Sequence, residues 1–153
     1  MPFAPKKILV ATDFSSNAQL AADHAAAVAK SFGAELTLLH IVPLGTYVDF
    51  ANHMESQAVN QTDFRKAVQA KIQGDSTKEV DRLRALGITV HFATTDGQPA
   101  SEISRYAKEN AFDLVVVGTH GRTGLARVLL GSVAEGVIRE CAMPVLTIRT
   151  SPA

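Results

Sequence analysis

The chain has 153 residues, 46% of them hydrophobic and 20% charged, with fifteen basic and fifteen acidic side chains and a formal charge of zero. That length suits one domain over residues 1–153 with a self-sufficient core. The balanced charge excludes the basic footprint of a nucleic-acid binder, no apolar run nears the ~20 residues of a bilayer span, and Cys141, the sole cysteine, excludes an intrachain disulfide. Met1 to Val10 carries two lysines but no long apolar stretch ahead of a cleavage site, so it does not read as a signal peptide. A cytoplasmic location is expected.

Lys7 to Thr12 is predicted as the first strand, on the short apolar run Ile8-Leu9-Val10. Ser15 or Ser16 can cap the helix that follows, because a serine hydroxyl satisfies an orphan N–H at a helix start. Ala21, Ala25, Val28 and Phe32 recur there at helical spacing and form its expected buried stripe. Gly33 is placed to end it. Leu36 to Val42 reads as the second strand. Leu44 to Thr62 is long for a connection, and its conformation is left open, a short helix around Asn52 to Asn60 being one option. Asp63 to Leu86 is predicted helical from the partly periodic Phe64, Ala67, Lys71, Ile72, Val80 and Leu83; Gly74 weakens its middle and Gly87 ends it. Ile88 to Ala93 alternates as a third strand. Pro99 to Asn110 is the next helix, with proline in the first turn, where it is tolerated.

Asp113 to Arg149 carries the most chemistry. Leu114 to Val117 is a continuous apolar strand, followed by Gly118, Gly121 and Gly124; Gly131-Ser132 opens an amphipathic helix, and Val145 to Ile148 is a last strand. Glycines after a buried strand and before a helix let backbone N–H groups approach an anion, and the helix start adds a favourable dipole. A phosphate site, and hence a nucleotide ligand, is the expectation. Alternating elements with near-continuous apolar strands define an α/β protein with a parallel sheet covered by helices on both faces.

The spacing Gly118-x2-Gly121-x9-Gly131-Ser132 resembles the nucleotide-binding signature of the universal stress protein family, in its ATP-binding branch. KKILVATDFS (Lys6 to Ser15) resembles that family's first strand with its Asp-x-Ser end, LTLLHIVP its second strand, and DGQPASEISRYAKENAFDLVVVG its third helix leading into strand four. The resemblance covers nearly the whole chain and is weakest between Leu44 and Ile72. It implies a single doubly wound, Rossmann-like, five-stranded parallel sheet of order 3-2-1-4-5. In that order the winding reverses between strands one and four, where ligands bind beyond the carboxyl ends of strands. Asp13 and Gly118 both fall there.

The resemblance also implies ATP as ligand. Gly118, Gly121 and Gly131 would run along the ribose and phosphates, and Ser132 and the N–H of Val133 would bond phosphate oxygens. Asp13 would meet the adenosine end, with Ala11 and Thr12 supplying backbone contacts. Backbone groups at Ile41 or Val42 would meet the adenine edge. Arg122 and Arg127 can grip phosphate in bidentate fashion, and a solvated surface position is an equally open reading for each. A divalent cation, Mg2+ or Mn2+, would ride on the phosphates, held mostly by nucleotide and water. A role as a nucleotide-dependent stress-response regulator is likewise what the resemblance implies.

The chain lacks a G-x4-G-K-[ST] P-loop, a G-x-G-x-x-G after strand one and a G-x-S-x-G elbow. No general base stands beside the glycine loop, and His120 reads as a hydrogen-bonding surface residue, so no catalytic residue is assigned. His24, His40, His53 and His91 have no metal-ligand spacing with one another or with Cys141. Binding is therefore expected over turnover. A slow ATP hydrolase and a nucleotide-free interaction module are the rival readings. The run Met143 to Ile148 would lie at the sheet edge and invites a twofold pairing of strand 144–149 in a homodimer. No nucleic-acid or membrane partner is expected.

Overall fold

A computed structural model of the protein describes residues 2–43, 45–46, 60–120 and 130–149. Strands and helices alternate: β1 Lys7–Thr12, α1 Ser16–Phe32, β2 Glu35–Pro43, α2 Gln61–Arg84, β3 Val90–Gly97, α3 Pro99–Glu109, β4 Leu114–Gly118, α4 Ser132–Glu140 and β5 Val145–Ile148. The strands form one parallel sheet of order β3-β2-β1-β4-β5. Most of the segment between residues 44 and 60 lies outside the described residues, as do Gly121, Arg122, Gly124 and Arg127. Among the described residues no helix is long and apolar enough to cross a membrane.

The sheet separates two cores, as the period-two alternation of strand side chains dictates. On one face Ile8, Val10, Leu36, Leu38, Leu114 and Val116 pack against α1 and the end of α2. On the other, Leu9, Leu39, Ile41, Val115 and Val117 pack against α3 and α4. Helix α1 presents alanines to the sheet, with Ala18, Ala21, Ala22, Ala25, Ala26 and Ala29 all buried. Small side chains bring its backbone close to the strands, and the branched strand residues supply the apolar bulk. Helices α3 and α4 also approach closely: a Cβ added at Gly136 would stand 2.6 Å from the Cβ of Ala100.

Local signals account for most boundaries. Ser15, rather than Ser16, is the N-cap of α1, its hydroxyl accepting the Ala18 N–H at 3.2 Å. Gly33 closes the helix with φ 63°, a conformation that glycine adopts without the steric cost of a Cβ. Two expectations need correction. Phe32 is not in the buried stripe of α1; it is 39% exposed and meets Phe3 edge-on, ring centroids 5.9 Å apart. The third strand starts at Val90 instead of Ile88 and runs on to Gly97. Its polar second half is held by register with β2 out to the Pro43–Gly97 pair.

One ion-pair cluster joins the two helices that share a face of the sheet. Arg82 of α2 bonds Glu79 through two nitrogens, at 2.6 and 2.9 Å, and reaches Asp23 of α1 at 2.5 Å. Glu79 is buried, so the fork geometry of Arg82 supplies the charge-assisted bonds that a desolvated carboxylate requires. At the amino ends of the strands, Asp113 Oδ2 accepts the backbone N–H groups of Lys6 and Lys7 at 2.8 and 2.9 Å, pinning β1 to the start of β4.

Cys141, at the end of α4, is half-buried, and its Sγ lies 3.3 Å from Ser104 Oγ. Burial pushes its thiol above the usual cysteine value, the Glu140 charge adds to that, and the Ser104 bond only partly opposes it. The thiolate is the reactive form. Cys141 should therefore alkylate at neutral pH well below the rate of an exposed cysteine and approach that rate only on unfolding. Rapid stoichiometric labelling of the native protein would contradict this.

Candidate functional site

The carboxyl ends of β1, β2 and β4 converge where the order of strands reverses. Past β1 the chain turns through Asp13 and Phe14 into α1. Asp13 Oδ1 accepts the Ser15 N–H at 2.9 Å, and Thr12 Oγ1 accepts the Phe14 N–H at 3.0 Å. Phe14 takes φ 61°, a left-handed conformation that costs a non-glycine residue about 1 kcal/mol or more. Two contacts offset that cost. The Phe14 ring lies over His40 at 4.8 Å between centroids, tilted 34°, and near Phe92 at 6.4 Å.

His40 holds the other side of the turn. Register places it opposite Thr12, and its Nδ1 lies 2.9 Å from the Thr12 carbonyl oxygen. A carbonyl only accepts, which assigns the proton to Nδ1. One histidine therefore fixes both residues that flank Asp13. Sequence reasoning weighed His40 only as a metal ligand. Aligning the ends of the first two strands was the signal that could have found it.

The ladder also distinguishes Ile41 from Val42 by the direction of their backbone groups. The Glu35 N–H bonds Lys6 O while the Leu36 N–H bonds Thr89 O. Odd residues of β2 thus direct their backbone groups toward β1 and even residues toward β3, because alternate residues of a strand face opposite neighbours. β1 ends at Thr12, opposite His40. Ile41, the next residue, donates its N–H to Thr12 O as the last bond of that ladder, so only its carbonyl looks past the end of β1, and Val42 directs its backbone groups to β3. Both side chains are buried and form wall.

Thr119 organises the far side. Its N–H bonds Ile148 O at 3.0 Å, its carbonyl accepts the Gly131 N–H at 2.7 Å, and its hydroxyl lies 3.1 Å from His120 Nδ1. Gly131 is the N-cap of α4 and has no side chain with which to cap it. The first intrahelical bond runs from the Glu135 N–H to Gly131 O. The N–H groups of Ser132 and Val133 therefore precede the helical ladder, at the positive end of the helix dipole, with both side chains exposed. By contrast, α1 and α2 have side-chain caps from Ser15 and Asn60. Gly118 lies between these two walls, and a Cβ there would meet nothing closer than 3.6 Å.

Of the residues expected at the site, the structure brings together Ala11, Thr12, Asp13, Ile41, Gly118, Gly131, Ser132 and Val133 at this end of the sheet. Val42 is there but faces β3, and Gly121 and Arg122 lie outside the described residues. Among the described residues no group of three or more His, Cys, Asp or Glu side chains could hold a metal ion.

A parallel α/β sheet of this order, with a polar turn, an open strand end and an uncapped helix start around one switch point, places the protein in the doubly wound α/β class. The universal stress protein family model matches residues 5–149, and the chain belongs to that family. It is 35% identical over 146 residues to universal stress protein MJ0531 of Methanocaldococcus jannaschii, covering 94% of this chain and 82% of that one. The solved structure of MJ0577 from the same organism superposes with a TM-score of 0.83 at 27% identity, covering 99% of this chain and 100% of the other. A universal stress protein crystallised in complex with cAMP superposes with a TM-score of 0.71 at 27% identity, covering 97% and 99%.

Proposed function

We propose that this protein binds ATP in the crevice between β1 and β4 and acts through the bound state as a nucleotide-dependent regulatory module. The observation that carries the proposal is the convergence at one switch point of the Asp13 turn, the Ile41 carbonyl and the uncapped start of α4 at Gly131. In this arrangement Asp13 holds the ribose hydroxyls and the Ile41 carbonyl accepts from the adenine amino group. The N–H groups of Ser132 and Val133, with the Ser132 hydroxyl, receive phosphate oxygens, as helix starts do. Gly121 and Arg122 belong to the same phosphate wall in this reading. A divalent cation would sit on the phosphates and shield their charge. No side chain is assigned to move a proton, so occupancy, not turnover, is the output.

Purified protein should be denatured and any released small molecule identified by mass spectrometry, followed by calorimetry with ATP, cAMP, NAD and FAD. ATP should bind with micromolar affinity and raise the melting temperature. The cAMP arm matters because a relative was crystallised with that nucleotide. Binding of NAD but not of any adenine mononucleotide would sink the proposal.

We also propose that the working unit is a homodimer paired along residues 144–149. β5 lies at the edge of the sheet, with Val145, Leu146 and Thr147 only half-buried. Its outward N–H and C=O groups suit a twofold pairing with a second copy. Light scattering should give twice the chain mass, and Thr147→Pro should lower it; a monomeric parent at micromolar concentration would count against the dimer.

A further inference from the structure

We infer that the opposite end of the sheet holds a second small-molecule site, for a monocarboxylate with an aromatic body. A half-open cavity of about 290 Å³ lies among the amino ends of β1, β2 and β3 and the end of α3. That is near the lower bound of ligand pockets and room for roughly ten heavy atoms or more. Its floor is Thr37, only 8% exposed. The Thr37 hydroxyl has no hydrogen-bond partner among the described residues, and it is not sealed off as the Thr95 hydroxyl is. It therefore opens on the cavity. There the hydroxyl can donate to or accept from whatever fills the space.

The charges around that floor are arranged unusually. Lys7 and Glu35 are register partners across β1 and β2. They do not pair with each other. The Lys7 ammonium donates to Asn110 O at 2.5 Å and stands 4.7 Å over the Phe112 ring, while Glu35 lies 3.4 Å from His91 Nε2. An ammonium has three donors, and one is committed to Asn110. What remains for a ligand is donor-rich: Lys7 and the Thr37 hydroxyl on one side, with the Tyr106 and Phe112 rings, 5.9 Å apart, as an aromatic wall. A carboxylate bridging Lys7 and Thr37, with its ring against Tyr106, satisfies both donors and buries apolar surface. Glu35 at the rim repels a second negative charge, which selects a monoanion over a dicarboxylate or a phosphate. This site does not rest on the nucleotide proposal.

Amide NMR titrations of the full chain with phenylacetate, phenylacetamide and phenethylamine test it. Phenylacetate should give saturable shifts confined to Thr37, His91, Tyr106, Asn110 and their neighbours, with a dissociation constant on the order of 1 mM. The neutral amide and the amine should bind about tenfold more weakly or worse. Thr37→Val removes the hydroxyl at nearly constant shape, so the fold should hold while phenylacetate binding weakens about fivefold or more. Glu35→Gln should change affinity in the opposite sense and tighten it. No saturation by roughly 20 mM phenylacetate would overturn the inference. So would equal binding of the amide or the amine, or a Thr37→Val protein that binds as the parent does.

Discussion

Gly131→Val should cost about 2–4 kcal/mol of stability and remove nucleotide binding in the same step. A Cβ at Gly131 would stand 2.6 Å from the Thr119 carbonyl oxygen, which is itself the acceptor of the Gly131 N–H at 2.7 Å. Backbone cannot yield there as a flexible side-chain end can. To admit the new atom, the start of α4 must swing away from Thr119, whose N–H also anchors the end of β5 through Ile148. Gly131 is thus a packing residue in its own right, and its loss cannot isolate the ligand's contribution. Gly118→Ala is the cleaner probe. The chain accommodates that methyl, so melting should be nearly unchanged while ATP affinity falls if phosphate or ribose passes close to Gly118. Chemical denaturation and calorimetry on both variants separate the two effects. A Gly131→Val protein as stable as the parent would show that α4 docks differently.

His40→Ala should weaken ATP binding by about tenfold or more, equal to 1.4 kcal/mol or above. It deletes the hydrogen bond to Thr12 O and the ring under Phe14 together. Phe14 would then lose the packing that holds it at φ 61°, and the Asp13 turn would relax toward conformers that do not present the carboxylate. The two contacts can be divided. His40→Phe keeps a ring and loses the donor, and His40→Asn keeps a donor near the Nδ1 position and loses the ring. Each should recover part of the affinity. In the parent, long-range proton–nitrogen correlations of the imidazole should report the Nδ1–H tautomer. Affinity within twofold of the parent for His40→Ala would mean that the turn is held by other contacts.

The contrast between these residues indicates what a single sequence can disclose. Strand cores were legible because Ile8-Leu9-Val10 and Leu114 to Val117 are continuous apolar runs, which leave neither face of a strand suited to water. The Ser15 cap and the Gly33 stop were legible because their causes are local. The second half of β3, Thr94 to Gly97, was not: it has no apolar signature and is extended only because β2 pairs with it. Phe32 fits the helical spacing of α1, yet it falls in the last turn, where Phe3 meets it instead of the core. Gly118, Gly131 and Ser132 of the glycine–serine pattern fall together at the carboxyl ends of β1 and β4, which their spacing along the chain does show. The part played by His40 depends on a cross-strand neighbour 28 residues away, which no spacing rule within one segment reveals.

The central position of β1 has a consequence for how the protein folds. β1 meets β2 after a single helical crossover, and β4 meets β5 after another, so each pair closes a short loop. Joining the pairs is a long-range event: Lys7 O and the Asp113 N–H, which start the seam, are 106 residues apart. Loop-closure entropy makes such a contact late and slow relative to the local units. The Asp13 turn lies on one side of that seam and Gly118 on the other. The crevice therefore does not exist until the seam shuts, and whatever occupies it can recognise only the completed chain. Ligand should then slow unfolding far more than it speeds folding, with amide exchange along β1 and β4 as the place to see it.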